Sequence, residues 1–199
     1  MDISEFSRLI QTKQAQLDRL MRHNMPVIAG RMAKDHFQDN FRRGGFVDNG
    51  LHPWAAARRL SLGYMSAYMN NGTLLSGRKH LFKSIQYTPG EYRITIYNDV
   101  LYAPIHNWGG EIQRTDRMRK YAWHRFYEAC GVSKNNSGKG SLSKEAIASN
   151  PEAGFWKGMA LSRKKSIKIP QRQFIGESRE LTDAIRNRLE EEIQKILNI

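Results

Sequence analysis

Residues Lys83 to Asn98 read KSIQYTPGEYRITIYN. Two runs, Lys83 to Thr88 and Tyr92 to Asn98, flank Pro89-Gly90. The second run alternates polar and apolar side chains and is rich in β-branched residues, the pattern of a half-buried strand. With a Pro-Gly break between two such runs, an antiparallel hairpin is predicted.

Helical patterns lie on both sides of it. From Ile3 to Met21 the apolar residues Ile3, Phe6, Leu9, Ile10, Leu17, Leu20 and Met21 recur at helical spacing, with Ser4 a candidate N-cap. Pro26 should kink or restart the helix, because proline cannot donate its backbone hydrogen. A second helix is predicted over Val27 to Phe41, ended by Gly44-Gly45. Phe46 to Pro53 reads as a loop, and Trp54 to Met69 as a helix opened by Pro53 and closed by Asn70-Asn71-Gly72. A short helical turn is expected around Leu74, Leu75 and Leu81.

Beyond the hairpin, a strand is predicted from Leu101 to His106 and another from Glu111 to Gln113. Arg117 to Cys130 reads as a basic, aromatic-rich helix, Ser133 to Ser143 as a flexible polar stretch, and Ser149 to Trp156 as a loop or short turn. Ser166 to Ile169 returns to strand character. Ser178 to Ile199 is a helix with Leu181, Ile185, Leu189, Ile193 and Ile196 on one face. The expected fold is therefore α+β: N-terminal helices, a small antiparallel sheet and a C-terminal helix. Residues 1–199 form one domain in this reading, with a basic, partly flexible insertion at about 114–165.

The chain has 199 residues, 40% of them hydrophobic and 26% charged, enough for one core. Its single cysteine, Cys130, excludes an internal disulfide and reads as an ordinary, partly buried residue. The N-terminus is acidic with no apolar region after it, so no export signal or membrane anchor is expected. The net charge of +13 is unevenly spread. Residues 111–173 hold 14 Lys and Arg against 5 Asp and Glu, whereas residues 174–199 hold 4 against 6. Such a basic segment suits an anionic partner, nucleic acid or an acidic protein, as well as it suits a solvated loop.

Catalytic signals are missing. The six histidines form neither HxH nor HExxH. His106-Asn107 matches two letters of an HNH-type nuclease motif without the partner histidines. Gly138-Lys139-Gly140-Ser141 lacks the spacing of a phosphate-binding loop. Acidic residues are scattered. No catalytic residue, metal or cofactor is expected. Two places mix special residues densely. Tyr102 to Gly110 holds Tyr102, Pro104, His106, Trp108, Gly109 and Gly110, a shaped junction. Pro104 there suits an edge strand, and an edge strand can pair with a neighbouring subunit. Arg163, Lys164, Lys165 and Lys168 form a candidate DNA-facing cluster. The aromatics Trp123 and Phe126 are expected to pack the insertion onto the core, and Trp54 and Phe174 to serve the fold.

Four blocks, in order, resemble the phage virion morphogenesis family, which includes tail-completion proteins and the G protein of phage Mu. They are Phe46 to Trp54, ending in Pro-Trp; Leu74-Leu75-Ser76-Gly77 through Ser84-Ile85; Tyr102 to Gly110, of the form Tyr-Ala-x-Ile-His-x-x-Gly-Gly; and Ile169 to Gly176, of the form Ile-Pro-x-Arg-x-Phe-Ile-Gly. The resemblance spans about residues 30–199 apart from 114–165, a segment longer than the family usually carries. It implies a non-enzymatic structural protein of a phage or prophage, acting in tail completion or head–tail joining as a homo-oligomeric ring. Its partners would be other virion proteins, the tail tube or the head–tail connector, and its location the virion or the host bacterial cytoplasm. A DNA contact is open under this reading. A stand-alone nucleic-acid-binding protein using residues 114–173 is the alternative.

Overall fold

A computed structural model describes residues 2–57, 72–131 and 150–197. The element order is α1 (Ile3–Arg19), a π-helical turn (Leu20–Asn24), α2 (Met25–Arg43), β1 (Gly45–Val47), β2 (Leu51–Pro53), α3 (His80–Lys83), β3 (Ile85–Gly90) and β4 (Arg93–Asn98). Then come α4 (Ala103–Trp108), β5 (Gly110–Gln113), α5 (Asp116–Ala129), α6 (Pro151–Leu161), β6 (Ser166–Ile169) and α7 (Arg179–Leu197). The α+β class holds, with N-terminal helices and a C-terminal helix. The small antiparallel sheet is three separate pairs: β1–β2, β3–β4 and β5–β6.

α2 is the centre. Beyond the buried Met25, its buried positions Pro26, Ala29, Gly30, Ala33, Phe37, Asn40 and Phe41 recur at helical spacing and trace one stripe. The β3–β4 hairpin packs on this stripe, with Tyr87 opposite Ile96 and Ile85 opposite Asn98. Gly30 lets the hairpin come close, because a Cβ there would collide with the Tyr87 ring. Phe41 anchors the core: its ring lies 5.1 Å from Phe174, 5.4 Å from Trp54 and 5.9 Å from Phe82. Ala33, Phe37, Phe46, Leu81, Ile85, Val100, Ala103 and Phe174 complete the buried cluster. Truncating a phenylalanine so placed costs about 3–5 kcal/mol. Trp54 and Phe174 thus serve the fold as expected.

The restart at Pro26 is a π turn, after which α2 carries Pro26 in its first turn, where no donor is needed. Ser4 is not the N-cap of α1. Asp2 is, accepting from the Ile3 amide at 2.7 Å in a capping box with Glu5, and the Ser4 hydroxyl donates to Asp2. No residue of α1 is buried, and Ile3, Phe6 and Ile10 are exposed; burial begins at Leu20 in the π turn.

Four segments depart from expectation. Phe46 to Pro53 is a hairpin rather than a loop, turning at Asp48-Asn49-Gly50 with Asn49 and Gly50 at φ 51° and 117°. Residues 54–57 are not helical, and the rest of the expected Trp54–Met69 helix, through residue 69, lies outside the described residues. Leu101 to His106 is no strand: Ala103 to Trp108 is helical, opened by Pro104, whose missing N–H suits a first helical turn as well as an edge strand. Ser149 to Trp156 is not a loop, since Pro151 opens α6 and Asn150 caps it, accepting from the Glu152 and Ala153 amides at 3.1 and 3.2 Å. The stretch Ser133 to Ser143 lies outside the described residues.

At the base of the insertion, β5 pairs with β6, Glu111 opposite Lys168 and Gln113 opposite Ser166. This ribbon carries the helix pair α5–α6, which packs chiefly on itself. Tyr121 meets Trp156 edge to face at 5.9 Å across the pair. Trp123 and Phe126 therefore do not pack onto the core. They lie within the arm, Phe126 buried and Trp123 stacked on Tyr127 at 6.0 Å.

Candidate functional site

The segment after β6 has no strand neighbour among the described residues; a backbone carbonyl and several side chains satisfy its backbone instead. The Arg172 amide donates to the His106 carbonyl at 2.8 Å. The Gln173 carbonyl accepts from Trp54 Nε1 at 2.7 Å, and the Phe174 carbonyl from Asn40 Nδ2 at 3.3 Å. Asn107 does the most. Its Oδ1 accepts from the Phe174 and Ile175 amides at 2.8 and 3.0 Å, and its Nδ2 donates to the Ile175 carbonyl at 3.0 Å. Buried backbone groups left unpaired are costly, so this accounting explains why a polar residue 6% exposed sits in an apolar surround.

Gly109 completes the junction. It stands at φ 74°, and a Cβ on it would lie 2.9 Å from the Gln171 backbone nitrogen. Only glycine allows both the backbone turn and the close approach. Arg172 is buried too, donating Nε to the Ala55 carbonyl at 2.9 Å and Nη2 to the Ala56 carbonyl at 3.4 Å. Blocks 46–54, 102–110 and 169–176 are thereby stitched together.

The junction residues divide in two. Gly109, Gly110 and the buried Asn107 build the turn, and Pro104 opens the helix. Tyr102 and Trp108 point outward, 44% and 66% exposed, and Leu101 is 97% exposed. Leu101 does not stand out in the sequence, since nothing in its spacing separates an outward leucine from a core one. Leu101 and Tyr102 border an open groove of about 520 Å³ that also holds Lys83 and Asp99. An exposed apolar knob on a rigid base is the usual form of a contact surface.

His106 lies between the two groups. Its ring meets Tyr102 edge to face at 5.9 Å, and its buried Nδ1 has no partner among the described residues. Burial, with Arg172 nearby, holds its pKa below the ordinary histidine value. His36 is lowered as well, first by burial, against a hydrogen bond with Val47. Burial pushes the Cys130 thiol up, away from the thiolate a nucleophile needs. The amide of Asn107 is committed at both ends to backbone, so the His106-Asn107 pair is not arranged as a nuclease fragment. Among the described residues no three His, Cys, Asp or Glu side chains converge as a metal site would require.

The basic residues lie on the arm. Arg163, Lys164 and Lys165 are consecutive and exposed between α6 and β6. Arg114 fastens this turn: its backbone donates to the Lys165 carbonyl at 2.8 Å, and its guanidinium to the Ser162 carbonyl at 2.7 Å and to the Met159 carbonyl. A cation on the last carbonyls of a helix also suits the helix dipole. Lys168 stands apart from the other three, opposite Glu111 in the ribbon.

No protein-family model, curated protein or solved structure matches this chain. No helix among the described residues is long and apolar enough to cross a membrane.

Proposed function

We propose that this chain is a non-catalytic structural protein of a phage or prophage, acting in tail completion or head–tail joining as an oligomeric ring, with tail-tube or connector proteins as partners. The observation that carries this reading is the closure of the motif blocks on one another. Trp54 holds Gln173, and Asn107 holds Phe174 and Ile175. Leu81 and Ile85, at and beside the second block, share the core with Phe46 and Phe174. Residues far apart in sequence thus build one rigid mount, and what the mount presents is apolar: Leu101, Tyr102 and Trp108. The proposed subunit contact is therefore the outward surface of α4 and the two residues before it, not an edge strand.

Light scattering of the eluting protein over a range of concentrations tests it, together with an assembly reaction using tails and heads from a lysate lacking this chain. A concentration-dependent oligomer and restored joining are expected. A strict monomer that fails to restore joining overturns the proposal.

The alternative, a nucleic-acid-binding protein using residues 114–173, is favoured by the cations of the arm that form no ion pair among the described residues, Arg117, Lys120, Arg163, Lys164 and Lys165.

A further inference from the structure

Two of the arm's four described acids are tied to one of its own cations. Arg125 takes two carboxylates, Glu128 at 2.6 Å and Glu152 at 3.5 Å, and its guanidinium lies 5.6 Å from the Trp156 ring centre. Glu111 accepts from the Ser166 hydroxyl at 3.0 Å and faces Lys168 across the ribbon. Of the described acids on the arm, only Asp116 remains, in the first turn of α5.

Arg117, Lys120 and His124 follow one another at three- and four-residue spacing, so they share a face of α5. That face is exposed, while Ala122 and Phe126 turn inward. At 1.5 Å per residue it runs about 10 Å. Because Arg114 ties its backbone to Lys165 two residues before α5 begins, the turn Arg163–Lys165 lies at the start of the same helix. Arg117, Lys120, Arg163, Lys164 and Lys165 form no ion pair with any described residue. Five cations without an ion pair among the described residues thus lie where the arm joins its ribbon.

We infer that this face of the arm binds the phosphate backbone of duplex DNA, without reading sequence. The aromatic residues favour duplex over single strand. Tyr121 and Trp156 are engaged with each other edge to face, and Tyr127, stacked on Trp123, is covered on one side. Single-strand binders instead present open aromatic faces on which bases stack. Side chains that reach only phosphates give binding without sequence preference and with a steep salt dependence. The inference rests on the arm's own charges and stands apart from the virion reading.

The test uses the full chain and a fluorescent duplex of about 25 base pairs, with anisotropy followed over a salt series. One variant carries Arg117→Gln, Lys120→Gln, Arg163→Gln, Lys164→Gln and Lys165→Gln. A control removes the same charge elsewhere, with Arg8→Gln, Arg19→Gln, Arg31→Gln, Arg78→Gln and Arg93→Gln. Removing one cation that neutralises a phosphate should lower the salt slope by about 0.9, so the arm variant should lose most of its slope and about 100-fold or more in affinity at moderate salt. The control should stay within a few fold, and circular dichroism should report both variants folded. Equal losses in arm variant and control would overturn the inference, leaving only the attraction of net charge. So would the absence of duplex binding, tighter binding to a single strand of the same length, or equal binding to polyglutamate, which would mark an acidic protein as the partner. Because the oligomer is measured separately, failure here leaves the virion reading standing, and the reverse.

Discussion

Asn107 Oδ1 accepts the backbone amide of Phe174 at 2.8 Å, so a residue of α4 stands in for the missing strand neighbour of a segment 67 residues later in the chain. The same side-chain amide closes on Ile175 from both sides. The junction after β4 and the segment after β6 are therefore one structural unit.

Asn107→Ala should be severe for so small a change. It leaves the Phe174 and Ile175 amides and the Ile175 carbonyl without partners. Each buried orphan costs about 1–3 kcal/mol. A loss of about 3 kcal/mol or more in urea unfolding is expected; a loss under about 1 kcal/mol would mean that the clamp is dispensable.

Gly109→Ala combines a left-handed backbone position with a Cβ 2.9 Å from the Gln171 nitrogen. Strain of about 1–3 kcal/mol is expected from the backbone alone, with more from the displaced strand exit. Thermal melting of the variant should show it, and Gly131→Ala serves as comparison: φ there is 71°, with open space around the Cβ, so its loss should be the smaller.

Trp108→Ala should separate stability from assembly. Its side chain is 66% exposed, so the monomer should change by no more than about 0.5 kcal/mol. The oligomer seen by light scattering should weaken. If the oligomer is intact in Trp108→Ala and also in Leu101→Ala, the outward surface of α4 and the two residues before it is not the subunit contact.

Acid should destabilise the fold through His36 and His106. Both have folded-state pKa values held below the ordinary histidine value, chiefly by burial. The unfolded chain therefore takes up protons first as pH falls. Stability is complete above the unfolded value, near 6.5, and declines as pH drops below it. Urea midpoints measured from about pH 7.5 down to about 5 should fall in the native chain and fall less in His36→Gln/His106→Gln.

Arg114→Met should loosen the arm and spare the core. The last carbonyls of α6, at Met159 and Ser162, lose their donor. Hydrogen exchange of the α6 amides should quicken, by a local loss of about 1–3 kcal/mol. Exchange in α2 should be unchanged.

Much of the fold is legible in the chain. The β3–β4 hairpin, the two long N-terminal helices, α5 and α7 follow from periodicity, because each is long enough for its pattern to exceed chance. The short elements mislead where one residue type serves two structures. Pro104 suits an edge strand and a first helical turn alike, and Asn150-Pro151 marks a loop as readily as a helix start. Asn49-Gly50 is the hairpin signal in a stretch that otherwise reads as loop. At the site, Tyr102 to Gly110 and Arg163 to Lys165 stand out by composition, but the role of each residue does not.

By itself the sequence determined where most of the helices and two of the three strand pairs' constituent runs lie, that the basic excess falls in residues 111–173, and that no catalytic motif is present. Those properties depend on neighbours along the chain. Tertiary structure alone decided that Asn107 faces Phe174 while Trp108 faces water, that Lys168 is set against Glu111, and that the turn Arg163–Lys165 is tied to Arg114 just before α5. Each is a pairing across tens of residues, set by which backbone groups needed partners and which apolar surfaces could be covered.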